Sequence, residues 1–210
     1  MYIQNRGFND IILAGIVSIG VLALAQIIAD RLAAGLASQY FFYAISFVVA
    51  AKYMPQNSSD RNYHRKGVAS PPIAACIYII LPTLLALVFL TVAKKCYQTP
   101  NPDIYDIPYL ILFCLVGPFV EEYVFRKKIY ESVGIQSINA VYYSIGSTVF
   151  WVLPHMVAGT ELSKAVILTP SGLALGFAYH RTRSLSIVVM AHSLQNTIAF
   201  FGPENQCLIQ

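Results

Sequence analysis

Long apolar runs separated by short polar segments make up most of the chain. About 20 apolar residues, at about 1.5 Å per residue, are enough to cross the hydrocarbon core of a bilayer. Runs of roughly this length cover residues 11–29, 32–51, 73–93, 107–126, 138–158, 163–179 and 185–201. After the first run, Asp30 and Arg31 predict a tight turn. The pattern predicts an all-α fold, a polytopic transmembrane helix bundle of about seven spans.

The composition excludes an ordinary soluble enzyme. Only 11% of the residues are charged and 57% are hydrophobic, whereas an average soluble domain is about 25% charged. The net charge of +4 comes from basic residues in the loops, which indicates membrane topology and no nucleic-acid partner. With seven alternating spans, ten of the 14 Lys and Arg residues share the N-terminal side, which favours a cytoplasmic N-terminus.

The fourth apolar run contains an acidic pair and a guanidinium, in the stretch GPFVEEYVFR at 117–126. Ionisable groups at membrane depth are costly and usually functional. On a helix Glu122 and Arg126 are four apart and can pair, whereas Glu121 lies about 100° away and lacks that partner. We expect Glu122 and Arg126 to support the site structurally and Glu121 to be free for chemistry, with a local helix break at Gly117–Pro118.

Two later runs carry the other polar candidates, His155 in one and His192 with Asn196 in the other. His192 and Asn196 are four apart and share a helix face. At about 1.5 Å per residue, Glu121 lies about 21 Å from one end of its span and His192 about 12 Å from the opposite end, so their depths nearly coincide. His155 is shallower by about 10 Å on the same count, unless a helix break at Pro154 brings its ring inward.

These residues form three motifs in order, EEYVFR at 121–126, WVLPH at 151–155 and HSLQN at 192–196. The set resembles the CPBP family of intramembrane proteases, the CAAX-protease and bacteriocin-processing group also called the Abi family, whose motifs are EExxxR, FxxxH and HxxxN. Trp151 stands where the family usually has Phe, with Phe150 just before it, and both aromatics are otherwise interpreted as packing residues. Each motif is short, but three in order within apolar segments are fairly specific.

The resemblance covers about residues 107–201 and implies a division of the chain. A catalytic core of the CPBP type would occupy 107–203, in the last four spans. N-terminal transmembrane helices and polar loops would fill 1–106, and a short C-terminal tail would follow at 204–210.

The resemblance also implies a mechanism. Glu121 and His155 would activate a water for attack on a peptide carbonyl, and a carboxylate in a poorly solvated cavity suits a general base. His192 and Asn196 would donate hydrogen bonds to the developing oxyanion, an effect worth about 3 kcal/mol per donor in known proteases.

The residues leave open whether a metal takes part. His155, His192 and Glu121 are also a reasonable three-ligand zinc set with an open water position, and the family has often been labelled metalloprotease. A glutamate-activated water without metal is argued for its eukaryotic members, and the sequence has no HExxH motif. The expected cofactor is therefore none, or one Zn.

The function implied is that of an intramembrane endopeptidase cleaving a membrane-associated or lipidated peptide or protein. The expected partners are this substrate and the lipid bilayer, and the compact chain favours a multi-pass protein of a bacterial cell membrane. Two other classes stay open. One is a non-catalytic membrane protein on the same scaffold, such as a bacteriocin-immunity factor or sensor partner; the other is a proton-coupled transporter, which the lack of repeated halves disfavours.

Overall fold

The computed structural model of the protein describes residues 2–32, 36–54, 76–80, 83–84, 107–133, 139–157 and 162–201. Within these ranges the chain is helical except at a few helix ends, and it contains no strand. The all-α fold class predicted from the apolar runs is confirmed, and the protein is a helical membrane bundle.

Six long helices run through the described ranges. They are α1 (Tyr2–Leu32), α2 (Leu36–Tyr53), α3 (107–133), α4 (Ala140–Val157), α5 (Leu162–Thr182) and α6 (Leu185–Phe201). Helix α3 is continuous but has five parts, Ile107–Ile111, Leu112–Val116, Gly117–Glu122, Tyr123–Lys128 and Ile129–Val133, of which the second and fourth are π-helical.

These helices correspond to six of the seven apolar runs. The segments Ile11–Ala29 of α1 and Ile107–Ser132 of α3 are long and apolar enough to cross a membrane. The third run, 73–93, lies largely outside the described residues, where only 76–80 and 83–84 are seen as helix. The tight turn predicted at Asp30 and Arg31 is wrong, because α1 continues to Leu32. The count of seven spans and the cytoplasmic N-terminus stay predictions.

Helices α4 and α5 pack with their backbones close together. A Cβ atom at Gly172 of α5 would lie 2.6 Å from Thr148 Cγ2 of α4, and one at Gly176 would lie 3.0 Å from the Cα of Ser144. Small residues at such positions let two membrane helices approach closely. This contact brings the middle of α5 against the part of α4 that carries Trp151.

Two π-helical turns flank the segment Gly117–Glu122, which carries the acidic pair. The N–H of Gly117 bonds to the carbonyl of Leu112, five residues back, so the turn before Pro118 is wider than an α-helical turn. Proline lacks an N–H and its ring crowds the preceding turn of an α-helix. The local break predicted at Gly117–Pro118 is therefore a widened turn within a continuous helix. Such turns occur frequently at functional sites.

Candidate active site

Glu121 lies where α3 faces α2 and α4, and its carboxylate is held by two neutral donors. The Tyr43 hydroxyl donates to Oε1 at 3.0 Å, and the Trp151 indole Nε1 donates to Oε2 at 2.8 Å. The Glu121 side chain is 17% exposed, whereas that of Glu122 is fully buried. Among the described residues, no Lys or Arg forms an ion pair with Glu121. Of the two adjacent acids, Glu121 is the one that a water or substrate can reach.

Glu122 belongs to a buried charge network. Arg126 Nε lies 3.4 Å from Glu122 Oε2, and His192 Nδ1 lies 2.9 Å from Glu122 Oε1. Arg126 also donates from Nη2 to the Gly172 carbonyl at 3.4 Å, and its guanidinium lies 5.2 Å from the centroid of the Trp151 ring. A buried carboxylate is costly unless it is paired and hydrogen-bonded. The pairing of Glu122 with Arg126, anticipated from their spacing, provides part of this compensation, and the hydrogen bond from His192 to Oε1 provides another part. Oε2 of Glu122 faces the Arg126 guanidinium without a hydrogen bond.

The Glu122 carboxylate sets the orientation of the His192 ring. Because a carboxylate can only accept, Nδ1 of the imidazole carries the proton in this bond. The other ring nitrogen, Nε2, lies 3.9 Å from Glu121 Oε2, which is longer than a hydrogen bond. His192 therefore holds one nitrogen in the buried network and presents the other toward Glu121.

Trp151 lies at the centre of the site. Besides donating to Glu121, its ring stands edge-on to the imidazoles of His192 and His155, with centroid separations of 5.5 Å and 5.2 Å. The side chain is almost fully buried, and a buried indole N–H usually finds a partner. From the sequence, Trp151 was expected to have a packing role only. Its place in the second motif and the need to satisfy its N–H were the signals for a polar role.

Tyr43 is the second site residue that was not predicted from the sequence. It belongs to an aromatic cluster at 40–43 in an apolar run without any motif. Nothing in the sequence pattern of α2 distinguishes Tyr43 from its neighbours, so no signal was available to find it.

His155 reaches the site from the last turn of α4. Its Nδ1 lies 2.8 Å from the Trp151 backbone carbonyl, so Nδ1 donates and Nε2 is left as an acceptor in the neutral ring. Helix α4 continues through Pro154 to Val157, and the helix break that would bring the ring inward is absent. Contact with the Trp151 ring places His155 at the edge of the site instead.

Asn196, one turn after His192 on α6, is turned toward α3. Its Nδ2 donates to the carbonyl of Phe113 at 2.8 Å, and Phe113 lies in the first π-helical turn. This bond ties α6 to α3 and uses one amide N–H. The second amide N–H and Oδ1 are the atoms left for other contacts.

The structure thus brings most of the expected residues together. Four of them form one connected group around the Trp151 ring, namely Glu121, Glu122, Arg126 and His192, with His155 against the same ring. Asn196 shares a helix with His192 but bonds to the α3 backbone.

The histidines and carboxylates of the site are candidate metal ligands. Among the described residues, no three His, Cys, Asp or Glu side chains are grouped in a way that could hold a metal ion. The Nδ1 atoms of His192 and His155 bond to Glu122 and to a backbone carbonyl, so Nε2 of each ring is the atom that a metal could use. As placed, His155, His192 and Glu121 are not grouped as a three-ligand zinc set, and the expectation of no cofactor or one Zn stays a prediction.

Comparison with known proteins shows what the segment that carries this site is similar to. Residues 103–198 match the family model described as type II CAAX prenyl endopeptidase Rce1-like. Over 88 residues the chain is 28% identical to the Bacillus subtilis (strain 168) protein named Putative membrane peptidase YdiL, a match that covers 42% of this chain. The chain spans about a third of that relative, 34% of its length. No solved structure matches the chain.

The matched segment contains the acidic pair and both histidines, and the comparison confirms the resemblance to CPBP proteases that the three motifs indicate. Residues 103–198 are thus similar to the Rce1-like type II CAAX prenyl endopeptidases, a family of membrane proteases.

Proposed function

We propose that the chain is an intramembrane endopeptidase that hydrolyses a peptide bond in a membrane-associated or lipidated peptide or protein, with Glu121 activating the attacking water. One observation carries the proposal. The Glu121 carboxylate is accessible, is held by two neutral donors and lies 3.9 Å from His192 Nε2, inside the segment that matches the protease family. Because this family acts on membrane-associated prenylated substrates, lipidated peptides are the first class to test.

The first step needs a water beside Glu121 and a substrate carbonyl. We place this water between the Glu121 carboxylate and Nε2 of His155, the ring nitrogen that the Trp151 carbonyl leaves free. As the water oxygen attacks the carbonyl carbon, Glu121 takes one of its protons. When the tetrahedral intermediate collapses, the C–N bond breaks and Glu121 returns this proton to the leaving amine.

The negative charge that develops on the carbonyl oxygen needs donors. His192 can donate from Nε2 when its ring carries both protons, and the Glu122 carboxylate on the opposite nitrogen then balances the charge. Asn196 has one amide N–H beyond its bond to Phe113, and this N–H is the second proposed donor. Donors of this kind contribute about 3 kcal/mol each to a protease transition state.

The buried pair of Glu122 and Arg126 supports this arrangement without contacting the substrate. Arg126 compensates the charge of Glu122, and Glu122 fixes the His192 ring. Because the described residues do not group as metal ligands, the proposed steps use only side chains of the chain and water.

The proposal is tested with purified protein reconstituted in lipid vesicles and a panel of membrane-anchored peptides, with and without a prenyl group. Product masses identify the cleaved bond. Glu121→Gln removes the base while keeping the side-chain shape. Glu131→Gln is the matched control, because it also removes the charge of a buried glutamate of α3, one that pairs with Lys128 at 3.2 Å. The rates of both variants are compared for the folded protein only, with helix content checked by circular dichroism.

We expect the wild-type protein and Glu131→Gln to cleave at least one peptide, and Glu121→Gln to be slower by at least about a thousandfold, as for loss of a general base and water-positioning group. Equal rates for Glu121→Gln and the control would contradict the assignment of Glu121. Folded wild-type protein that cleaves no peptide of the panel would contradict the proteolytic function.

A further inference from the structure

Tyr43 reaches the candidate active site from α2, outside the segment that matches the protease family. Its hydroxyl donates to Glu121 Oε1 at 3.0 Å, while Trp151 of α4 donates to Oε2. Each carboxylate oxygen therefore has one neutral donor, and the donors come from two different helices. A carboxylate held in this way cannot rotate about its terminal bond without breaking both hydrogen bonds.

The surroundings of Tyr43 fit a hydroxyl at this position. A Cβ atom at Gly117, one helical turn before Glu121, would lie 3.1 Å from the Tyr43 hydroxyl oxygen and 3.3 Å from its Cζ atom. Glycine at 117 therefore makes room for the phenol between α2 and α3. The ring of Phe42 packs edge-on against that of Tyr43, with centroids 5.1 Å apart.

A second aromatic contact holds α2 in register with α3. Phe47, four residues after Tyr43, packs against the rings of Phe119 and Tyr123, at centroid distances of 5.7 Å and 4.7 Å. These two residues lie on either side of the acidic pair. The helix that carries Tyr43 is thus packed against the part of α3 that carries Glu121.

We propose that Tyr43 is a positioning residue that aligns the Glu121 carboxylate for water activation, so that α2 completes the active site of the family-matched segment. This inference rests on the proposed function of Glu121. Tyr43 contacts the base and not the substrate, so its loss changes the turnover rate and leaves substrate binding intact. Misplacing a reacting group by about 1 Å can cost about a hundredfold in rate, and loss of one hydrogen bond to a charged group about tenfold or more.

The test compares Tyr43→Phe with Tyr40→Phe in the full chain, reconstituted in vesicles. Tyr40 lies one turn earlier on α2 and donates to the backbone carbonyl of Pro108, so Tyr40→Phe also removes one hydroxyl that joins α2 to α3. We expect Tyr43→Phe to lower kcat at least about tenfold with KM within about twofold of the wild-type value. Tyr40→Phe is expected to keep both constants near the wild-type values.

A second readout does not depend on catalysis. The chain has a single tryptophan, and Trp151 shares the Glu121 carboxylate with Tyr43, so its emission reports the state of that carboxylate. We expect Tyr43→Phe to shift the emission of Trp151 and Tyr40→Phe to leave it unchanged. In a Glu121→Ala background, Tyr43→Phe is expected to have no further effect on the emission, because the effect passes through the carboxylate.

The two readouts separate the two proposals. A shift of Trp151 emission that Tyr43→Phe causes, and that disappears in the Glu121→Ala background, supports the contact between Tyr43 and Glu121. If this shift is found but no peptide is cleaved, only the proteolytic function fails. A wild-type kcat for Tyr43→Phe, an increase in KM alone, or an emission change that persists without the carboxylate would overturn the positioning role.

Discussion

Replacing Glu122 by Gln tests the buried charge network directly, because it removes a charge and keeps the shape of the side chain. The side chains of Glu122 and Arg126 are both fully buried, with Nε and Oε2 3.4 Å apart. Removing one partner of a buried ion pair costs about 3–5 kcal/mol, because the other charge is left uncompensated. Since 3.4 Å is long for a charge-assisted hydrogen bond, we expect the lower end of this range, about 3 kcal/mol. At 1.4 kcal/mol per factor of ten, the unfolded fraction rises about a hundredfold.

The assay is thermal unfolding in detergent, followed by the reaction of a maleimide dye with Cys114. This thiol is buried and free, and Ser replacements at the other three cysteines make it the sole reporter. Lys127→Gln is the control, because Lys127 is 35% exposed and lies 3.8 Å from Glu131. Glu131 keeps its closer contact with Lys128, at 3.2 Å, and loss of a partly exposed Lys at a long distance costs at most about 1 kcal/mol. If Glu122→Gln unfolds at the same temperature as Lys127→Gln, the buried network does not stabilise the helix bundle as described.

Three further outcomes are expected. Trp151→Phe installs the aromatic that the family usually has and removes the indole donor. We expect it to lower kcat about tenfold and to leave the helix content, measured by circular dichroism, unchanged. A wild-type kcat would show that this donor is dispensable. Gly172→Ala should destabilise the fold by about 1–3 kcal/mol in thermal unfolding, because its Cβ would lie 2.6 Å from Thr148 Cγ2, whereas Gly20→Ala, with nothing within 4 Å, should have little effect. Treatment with a strong zinc chelator should leave the cleavage rate unchanged, and a loss of rate that added Zn²⁺ restores would contradict the proposed metal-free steps.

The helices and the ion pair of Glu122 with Arg126 could be predicted from the sequence because both depend on local spacing. Apolar runs of bilayer length predict α1 to α6 to within a few residues at most ends, and the spacing of Glu122 and Arg126 puts them on one helix face. The π-helical turns around Gly117–Glu122 could not be predicted in this way. They depend on how a proline and the packed neighbours of α3 accommodate each other.

The contacts between helices required the structure. The bond from His192 to Glu122 joins residues 70 positions apart, and the bond from Tyr43 to Glu121 joins residues 78 apart. Such contacts depend on how each helix is rotated and tilted against its neighbours, and the sequence pattern of a single span does not determine either quantity. The depth count correctly placed His192 near Glu121, but it could not show that a second acid holds its ring.

The most direct measurement of the role of Glu121 separates peptide binding from cleavage in one pair of proteins. A membrane-anchored peptide that the wild type cleaves is titrated into the wild type and into Glu121→Gln, with Trp151 emission reporting binding and product mass reporting cleavage. Because the substitution removes the base and keeps the shape of the site, we expect binding within about threefold of wild type and cleavage slower by at least about a thousandfold. Cleavage by Glu121→Gln at the wild-type rate would contradict the assignment of Glu121 as the group that activates water.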